Sequence, residues 1–217
     1  MDDGFRPYTR AERLSDAVVH VTGLASVAIA VPVLIVLAIL FRGDGPAILG
    51  ISVYGAALAA MIGFSALYHM VQHPDWTPIF RRLDHSAIYW KIAGTYTPFT
   101  LLSGHGAALL AGIWAAAMAG TGLRVFAPYR FRTINLILYP AMGWVGVIAG
   151  WSMFATFSPL VLGLAIAGGL LYTVGIAFYL WERLPYHNTI WHVFVLVASM
   201  LFFAAITTHV IDTSAFA

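Results

Sequence analysis

The chain has 217 residues, of which 61% are hydrophobic and 9% are charged. A soluble domain carries about 25% charged residues, and a soluble globule of this length cannot bury so much apolar surface. The composition therefore predicts an integral membrane protein. The net charge of +2 excludes a surface that follows nucleic-acid phosphates. Because the chain has no cysteine, any metal site must use His, Asp, Glu or water.

Seven apolar stretches, separated by short polar or Pro- and Gly-containing segments, have the length of a membrane helix. A bilayer core about 30 Å thick requires about 20 helical residues. The stretches are 17–41, 46–72, 84–103, 106–126, 134–153, 158–181 and 188–211. No linker is long enough to divide residues 1–217, so we predict a single domain: an all-α integral membrane protein forming a seven-transmembrane helix bundle.

The basic residues predict the orientation of this bundle, because Lys and Arg are concentrated in cytoplasmic loops. With the N-terminus in the cytoplasm, the outer loops contain only Arg42. The basic residues at the cytoplasmic ends are then Arg6, Arg10, Arg13, Arg81, Arg82, Arg124, Arg130, Arg132 and Arg183. This bias predicts a cytoplasmic N-terminus and an outer C-terminus.

Ionisable side chains within the spans are energetically costly and therefore mark functional sites. In the predicted orientation, polar side chains of four spans meet at the cytoplasmic side. They are Asp16 and His20 of the first span, Ser65, His69 and His73 of the second, Asp84 and His85 of the third, and His187, Asn188 and His192 of the seventh. Imidazoles and carboxylates that converge from several helices at one depth are what a metal site in a bundle requires.

The spacing within the second span supports a metal site. Ser65, His69 and His73 recur every four residues, so they project from one helix face. A zinc ion held by three His leaves a fourth position for water, whose proton a carboxylate such as Asp84 could accept. This chemistry is hydrolysis of an ester or amide, most naturally in a lipid that enters from the side.

Structural interpretations of the same residues remain open. A His near a helix end commonly contacts water or lipid headgroups. Asp84 follows Arg81 and Arg82, so it could cap its helix or pair with one of them. Lys91 lies two turns beyond Asp84, and it could pair with that carboxylate or extend toward the cytoplasm.

Four motifs, in chain order, resemble the hemolysin III family and the wider progestin and adipoQ receptor group. Residues 12–20 read ERLSDAVVH, similar to the family's acidic beginning of the first span. Residues 65–69 read SALYH, and residues 83–86 read LDHS with AGTYTP at 93–98. Residues 190–196 read IWHVFVL, similar to the family's W-H-x-F-V-L. The likeness covers nearly the whole chain.

The resemblance implies a seven-helix bundle with the N-terminus inside. It also implies a cytoplasmic-side zinc site of three His, one from the second span and two from the seventh. Carried over by position, His69 and His192 are ligands. Asp84 then holds a water near the metal, and Ser65 is a supporting group.

The third ligand is where this sequence departs from the family pattern, H-x-x-x-H in the seventh span. Four residues before His192 stands Asn188, and the nearest His is His187, five residues before. On a helix, residues four apart differ by about 40° in direction, and residues five apart by about 140°. Because the backbone need not be helical where the helix begins, we predict His187 as the third ligand. His20, His73 or a site with only two His are the alternatives.

Three functions fit these features, and they follow in decreasing order of agreement with the sequence. The first is a zinc-dependent hydrolase of lipid amides or esters, similar to an amidase or ceramidase, with Asp84 and Ser65 as catalytic groups. The second is a receptor-like or membrane-homeostasis protein with structural zinc. The third is a cytolytic pore, which the nearly uncharged outer half of the bundle disfavours. The expected partner is membrane lipid, and the bacterial-type motifs indicate the inner membrane.

Overall fold

The computed structural model describes residues 8–71, 73–127 and 130–216, and within these ranges it is helical, without strands. The helices are α1 (Arg10–Phe41), α2 (Gly45–Met70), α3 (Thr77–Ser103), α4 (Ala107–Phe126), α5 (Arg132–Ala149), α6 (Trp151–Phe154), α7 (Pro159–Leu180) and α8 (His187–Asp212), followed by a 3₁₀ turn at Thr213–Phe216. The prediction of an all-α fold is confirmed.

Among the described residues, five helices are long and apolar enough to cross a membrane, namely α1, α2, α4, α7 and α8. The 27-residue α3 is long enough but more polar, and the apolar stretch Thr133–Ala149 of α5 is shorter. The helices therefore confirm a membrane helical bundle. The count of seven spans, their orientation and the single domain stay predictions.

The fifth predicted stretch, 134–153, is interrupted in the structure. The long helix α5 ends at Ala149, and the single-turn α6 begins at Trp151. The intervening Gly150 has φ −108° and ψ 18°, outside the helical region. A Cβ atom at this position would lie 2.6 Å from the carbonyl oxygen of Gly146, so the break requires glycine.

Hydrogen bonds at the beginning of α1 align it with α8. The backbone N–H of Glu12 donates to the Thr9 hydroxyl at 3.2 Å, and the N–H of Thr9 donates to Glu12 Oε2 at 2.8 Å, which forms a capping box. The other carboxylate oxygen of Glu12 accepts the N–H of Tyr186, just before α8, at 2.9 Å. One side chain therefore sets both helices in register, one turn before Asp16.

Small residues allow α2 and α3 to approach closely. A Cβ atom added to Gly94 of α3 would lie 2.6 Å from the Cβ of Ala57 on α2. A Cβ added to Gly50 of α2 would lie 2.9 Å from the Cα of Pro98. Close backbone approach at small residues is the usual way in which membrane helices pack. It holds the polar residues of α2 and α3 near each other.

We expect Gly94→Ala to destabilise the bundle by about 1–3 kcal/mol, because the added methyl group must displace α2. The measurement is the thermal unfolding midpoint of the detergent-purified protein. Gly63→Ala is the matched control, since a Cβ at Gly63 of α2 meets no atom within 4 Å. The control should be neutral or stabilising by up to about 1 kcal/mol. Equal midpoints for the two variants would contradict the close contact.

Candidate metal centre

The carboxylate of Asp16 lies among three imidazoles. Its Oδ1 is 2.6 Å from Nδ1 of His192, and its Oδ2 is 3.4 Å from Nδ1 of His69 and 3.7 Å from Nδ1 of His20. One donor atom each of Asp16, His69 and His192 lies within 4.8 Å of the others. This is a donor group from α1, α2 and α8, and Asp16 is at its centre.

The imidazole rings pack directly on one another. The ring of His192 is 4.5 Å from the rings of His20 and His69, edge to face in both cases. The rings of His20 and His69 are stacked at 5.3 Å. Asp16, His20 and His192 are buried, and His69 is partly buried. The structure thus brings together three of the His residues that the sequence places at one depth.

Protein groups contact both ring nitrogens of His20. Its Nδ1 is 2.8 Å from the backbone carbonyl oxygen of Asp16, so this nitrogen is the donor. Its Nε2 is 3.1 Å from the Ser65 hydroxyl. In this arrangement His20 orients the residues around it, and its role as an alternative third ligand stays a prediction.

The Ser65 hydroxyl connects His20 to Asp84. It forms a side-chain hydrogen bond with the Asp84 carboxyl group, which also interacts electrostatically with His192 and Arg124. Asp84 is buried, and its Oδ2 is 4.0 Å from Nε2 of His85. Because α3 begins at Thr77 with Trp76 as its N-cap, Asp84 lies inside the helix and does not cap it.

His187, predicted as the third ligand, faces Tyr8 in the structure. Its Nε2 is 2.7 Å from the Tyr8 hydroxyl, which also accepts a hydrogen bond from the amide nitrogen of Asn188 at 2.7 Å. Burial and the nearby Asp16 charge raise the pKa of Tyr8 to about 12, so the phenol is protonated at neutral pH and donates to His187. Nδ1 of His187 is buried without a hydrogen-bond partner in the described part of the chain. Its assignment as a ligand stays a prediction.

Two further residues named from the sequence lie away from this donor group. His73 is exposed in the turn before α3, where its carbonyl oxygen accepts the N–H of Thr77. Lys91 is only 3% exposed, and its Nζ donates to the Thr95 hydroxyl at 2.8 Å. Because Thr95 is one turn beyond Lys91, the ammonium group points away from Asp84. Neither interpretation made for Lys91 from the sequence holds.

A cavity of about 1280 Å³ begins at the donor group and continues along the bundle. Its polar wall includes Asp16, His69, Asp84, His187 and His192. Its apolar wall includes Phe99, Trp144, Val195 and Phe202. Pockets with an apolar wall and a few converging polar groups are typical of ligand-binding sites. The donor group therefore lies at the wall of a cavity that has the features of a ligand-binding site.

The model of the family described as Haemolysin-III related matches residues 9–203. This range includes Asp16, His69 and His192 of the donor group. The chain belongs to the hemolysin III family. The resemblance predicted from the four motifs is thus confirmed, and the family and the apolar helices together indicate a multi-pass membrane protein.

Individual relatives of this hemolysin III protein agree with the family match. The chain is 37% identical over 208 residues to "Hemolysin-3" of Bacillus cereus, and the aligned region covers 94% of each protein. It is 36% identical over 201 residues to "Hemolysin-3 homolog" of Bacillus subtilis, covering 90% of this chain and 93% of that protein. It is 29% identical over 168 residues to the human "Monocyte to macrophage differentiation factor", covering 71% and 67%. The last match supports the relation to the progestin and adipoQ receptor group.

Sequence reasoning did not include Asp16 in the predicted ligand set of this hemolysin III protein. Asp16 was placed at the depth of the His residues, four positions before His20, and that i, i+4 spacing was the available signal. The sequence shows no link between Asp16 and His192, which are 176 positions apart. Only the packing of α1 against α8 makes them neighbours.

Proposed function

We propose that this protein is a zinc-dependent hydrolase of a lipid amide or ester, acting at the cytoplasmic side of the bacterial inner membrane. One observation carries the proposal. The donor atoms of Asp16, His69 and His192 lie within 4.8 Å of one another at the wall of a cavity of about 1280 Å³. The buried Asp84 carboxyl and the Ser65 hydroxyl lie at the same wall. A lipid carbonyl in the cavity would therefore meet both a metal site and a base.

The donor set fits zinc. Two imidazoles and one carboxylate are among the ligand sets of catalytic zinc sites, in which a fourth position stays open. Tetrahedral ligands of zinc are about 3.3 Å apart, and Nδ1 of His69 is 3.4 Å from Oδ2 of Asp16. The 2.6 Å contact of His192 with Asp16 is a hydrogen bond that must open for both to bind one ion. Bound zinc would supply Lewis-acid activation of water and of the carbonyl group.

Asp84 is the general base of this proposal. It accepts the proton of the attacking water as the water oxygen bonds to the carbonyl carbon. It returns that proton to the leaving amine or alcohol as the carbon–nitrogen or carbon–oxygen bond breaks. The hydrogen bond of Ser65 orients the Asp84 carboxyl group, and Nε2 of His20 lies 3.1 Å from the same hydroxyl. The products are a fatty acid and an amine or alcohol.

The second candidate is a membrane-homeostasis or receptor-like protein in which zinc is structural. The contacts that favour it are those of Asp16 with His192, His69 and His20, because they join α1, α2 and α8. A cytolytic pore remains the third candidate, and the two bacterial relatives have hemolysin in their names. No specific contact in the described part of the chain supports it.

The test measures zinc and lipid cleavage in the detergent-purified protein. We expect about one zinc ion per chain, which either a catalytic or a structural zinc site would bind. We also expect release of fatty acid from members of a panel of lipid amides and esters. His69→Ala and His192→Ala should lose both zinc and activity. His105→Ala is the matched control, because His105 is exposed and bonded to the Ser103 carbonyl, outside the donor group.

Two outcomes would contradict this proposal. Folded wild-type protein that binds no metal after zinc is supplied would reject the zinc site. Protein with zinc that cleaves none of the lipids, and that unfolds at lower temperature when zinc is removed, would favour the structural role.

A further inference from the structure

Lys91 is the single lysine of the chain, and it lies deep in the bundle. It follows Asp84 by seven residues on α3, which is about 10 Å along the helix axis. The side chain is 3% exposed and lines the cavity. This position is separate from the donor group of Asp16, His69 and His192. None of the roles described above uses Lys91.

The ammonium group of Lys91 has no carboxylate partner among the described residues. Its contacts are the Thr95 hydroxyl at 2.8 Å and the ring faces of Tyr54 and Phe202, whose centroids are 4.7 and 5.5 Å from Nζ. Aromatic faces attract a cation but supply no negative charge. A buried charge without an opposite charge is costly. A bound anion would supply the opposite charge that these contacts lack.

Unused hydrogen-bond donors are available to such an anion. An ammonium group has three N–H donors, and the Thr95 hydroxyl accepts one of them. That hydroxyl donates its own hydrogen to the carbonyl oxygen of Lys91 at 2.7 Å.

The surroundings select the kind of anion. Within the described part of the chain, the contacts of Lys91 include no guanidinium group and no helix N-terminus, the groups that commonly bind phosphate. One ammonium group balances the single charge of a carboxylate. Phe99, Trp144 and Phe202 line the same cavity and suit an acyl chain. We propose that Lys91 binds the carboxylate of a long-chain fatty acid whose chain lies in the cavity.

This proposal goes beyond the hydrolase function and does not depend on it. A carboxylate at Lys91 would lie about two helical turns deeper than Asp84, or about 10 Å. Binding there needs no metal. A fatty acid from the membrane and one released by hydrolysis have the same chemistry, so the binding test uses palmitate added to metal-free protein.

The test compares palmitate with hexadecanol, which has the same chain length and no charge. We expect metal-free wild-type protein to bind palmitate at least about tenfold more tightly than hexadecanol, the effect of one charge-assisted hydrogen bond. Lys91→Met should remove this preference and leave hexadecanol binding unchanged. Lys91→Arg should keep the preference. Equal binding of the two ligands by wild-type protein would overturn the proposal.

Nuclear magnetic resonance of the wild-type protein is a second test, which applies even if Lys91→Met does not fold. Because the chain has one lysine, ¹³C-lysine labelling gives a signal from Lys91 alone. Palmitate should shift the ε-carbon signal, and hexadecanol should not. No shift at saturating palmitate would overturn the proposal. An equal shift with acetate at the same concentration would also overturn it, since the site would then bind small anions only.

Discussion

Asp16→Asn is expected to lower the affinity of the protein for zinc at least about 100-fold, so that the purified variant contains no zinc. The carboxylate of Asp16 is within 3.7 Å of three imidazoles and contributes one of the three clustered donors. An amide has nearly the same shape but no charge, so it is a weak ligand for a divalent cation. The measurement is a zinc titration of metal-free protein, with bound zinc counted by elemental mass spectrometry.

Asp44→Asn is the matched control for this substitution. Asp44 is the N-cap of α2 and accepts the N–H of Ala47 at 2.8 Å. Asparagine caps a helix as well as aspartate does, and the partly exposed ion pair with Arg42 that the substitution removes contributes about 0–1 kcal/mol. Zinc binding should therefore not change, and the protein should still fold. The control shows whether removal of any carboxylate from the bundle affects zinc.

His187→Ala separates the two candidates for the third ligand. If Asp16 binds the ion, His187→Ala should retain zinc, since Nε2 of His187 pairs with Tyr8. If Asp16→Asn retains zinc and His187→Ala loses it, the sequence-based prediction of His187 is correct. His187 would then bind the ion through Nδ1, which has no hydrogen-bond partner among the described residues, or through Nε2 after its contact with Tyr8 breaks.

Asp84→Asn is expected to lower the rate of lipid hydrolysis by about 10²–10⁴-fold, the usual contribution of a general base. Asparagine cannot accept the proton of the attacking water, yet it can still hydrogen-bond to Ser65. Zinc content should stay at the wild-type level, because Asp84 is outside the group of clustered donors. The measurement is the initial rate of fatty acid release, together with zinc content.

Asp75→Asn is the control for Asp84→Asn. Asp75 is exposed in the turn between α2 and α3, so its replacement should change neither rate nor zinc content. Wild-type rates in folded Asp84→Asn would exclude this carboxylate as the base. Loss of zinc along with activity would instead assign Asp84 a role in metal binding.

The membrane class, the helical fold and the family are determined by the sequence alone. Long apolar stretches with few charges form helices in a bilayer, because each backbone polar group must be satisfied within its own segment. These local properties place the beginning of α8 at His187, one residue from the predicted 188, and the end of α7 at Leu180, near the predicted 181. The motifs around His69, Asp84 and His192 identified the family, and all three residues line the cavity.

Only the tertiary structure determined which of these polar side chains meet. The contact of Asp16 with His192 depends on the packing of α1 against α8, which Glu12 aligns by its bond to the N–H of Tyr186. The direction of Lys91 depends on the nearby hydroxyl of Thr95 and the rings of α2 and α8. Hydropathy and helical spacing describe one segment at a time. Contacts between distant segments depend on how the helices pack, and that packing decides the chemistry of the site.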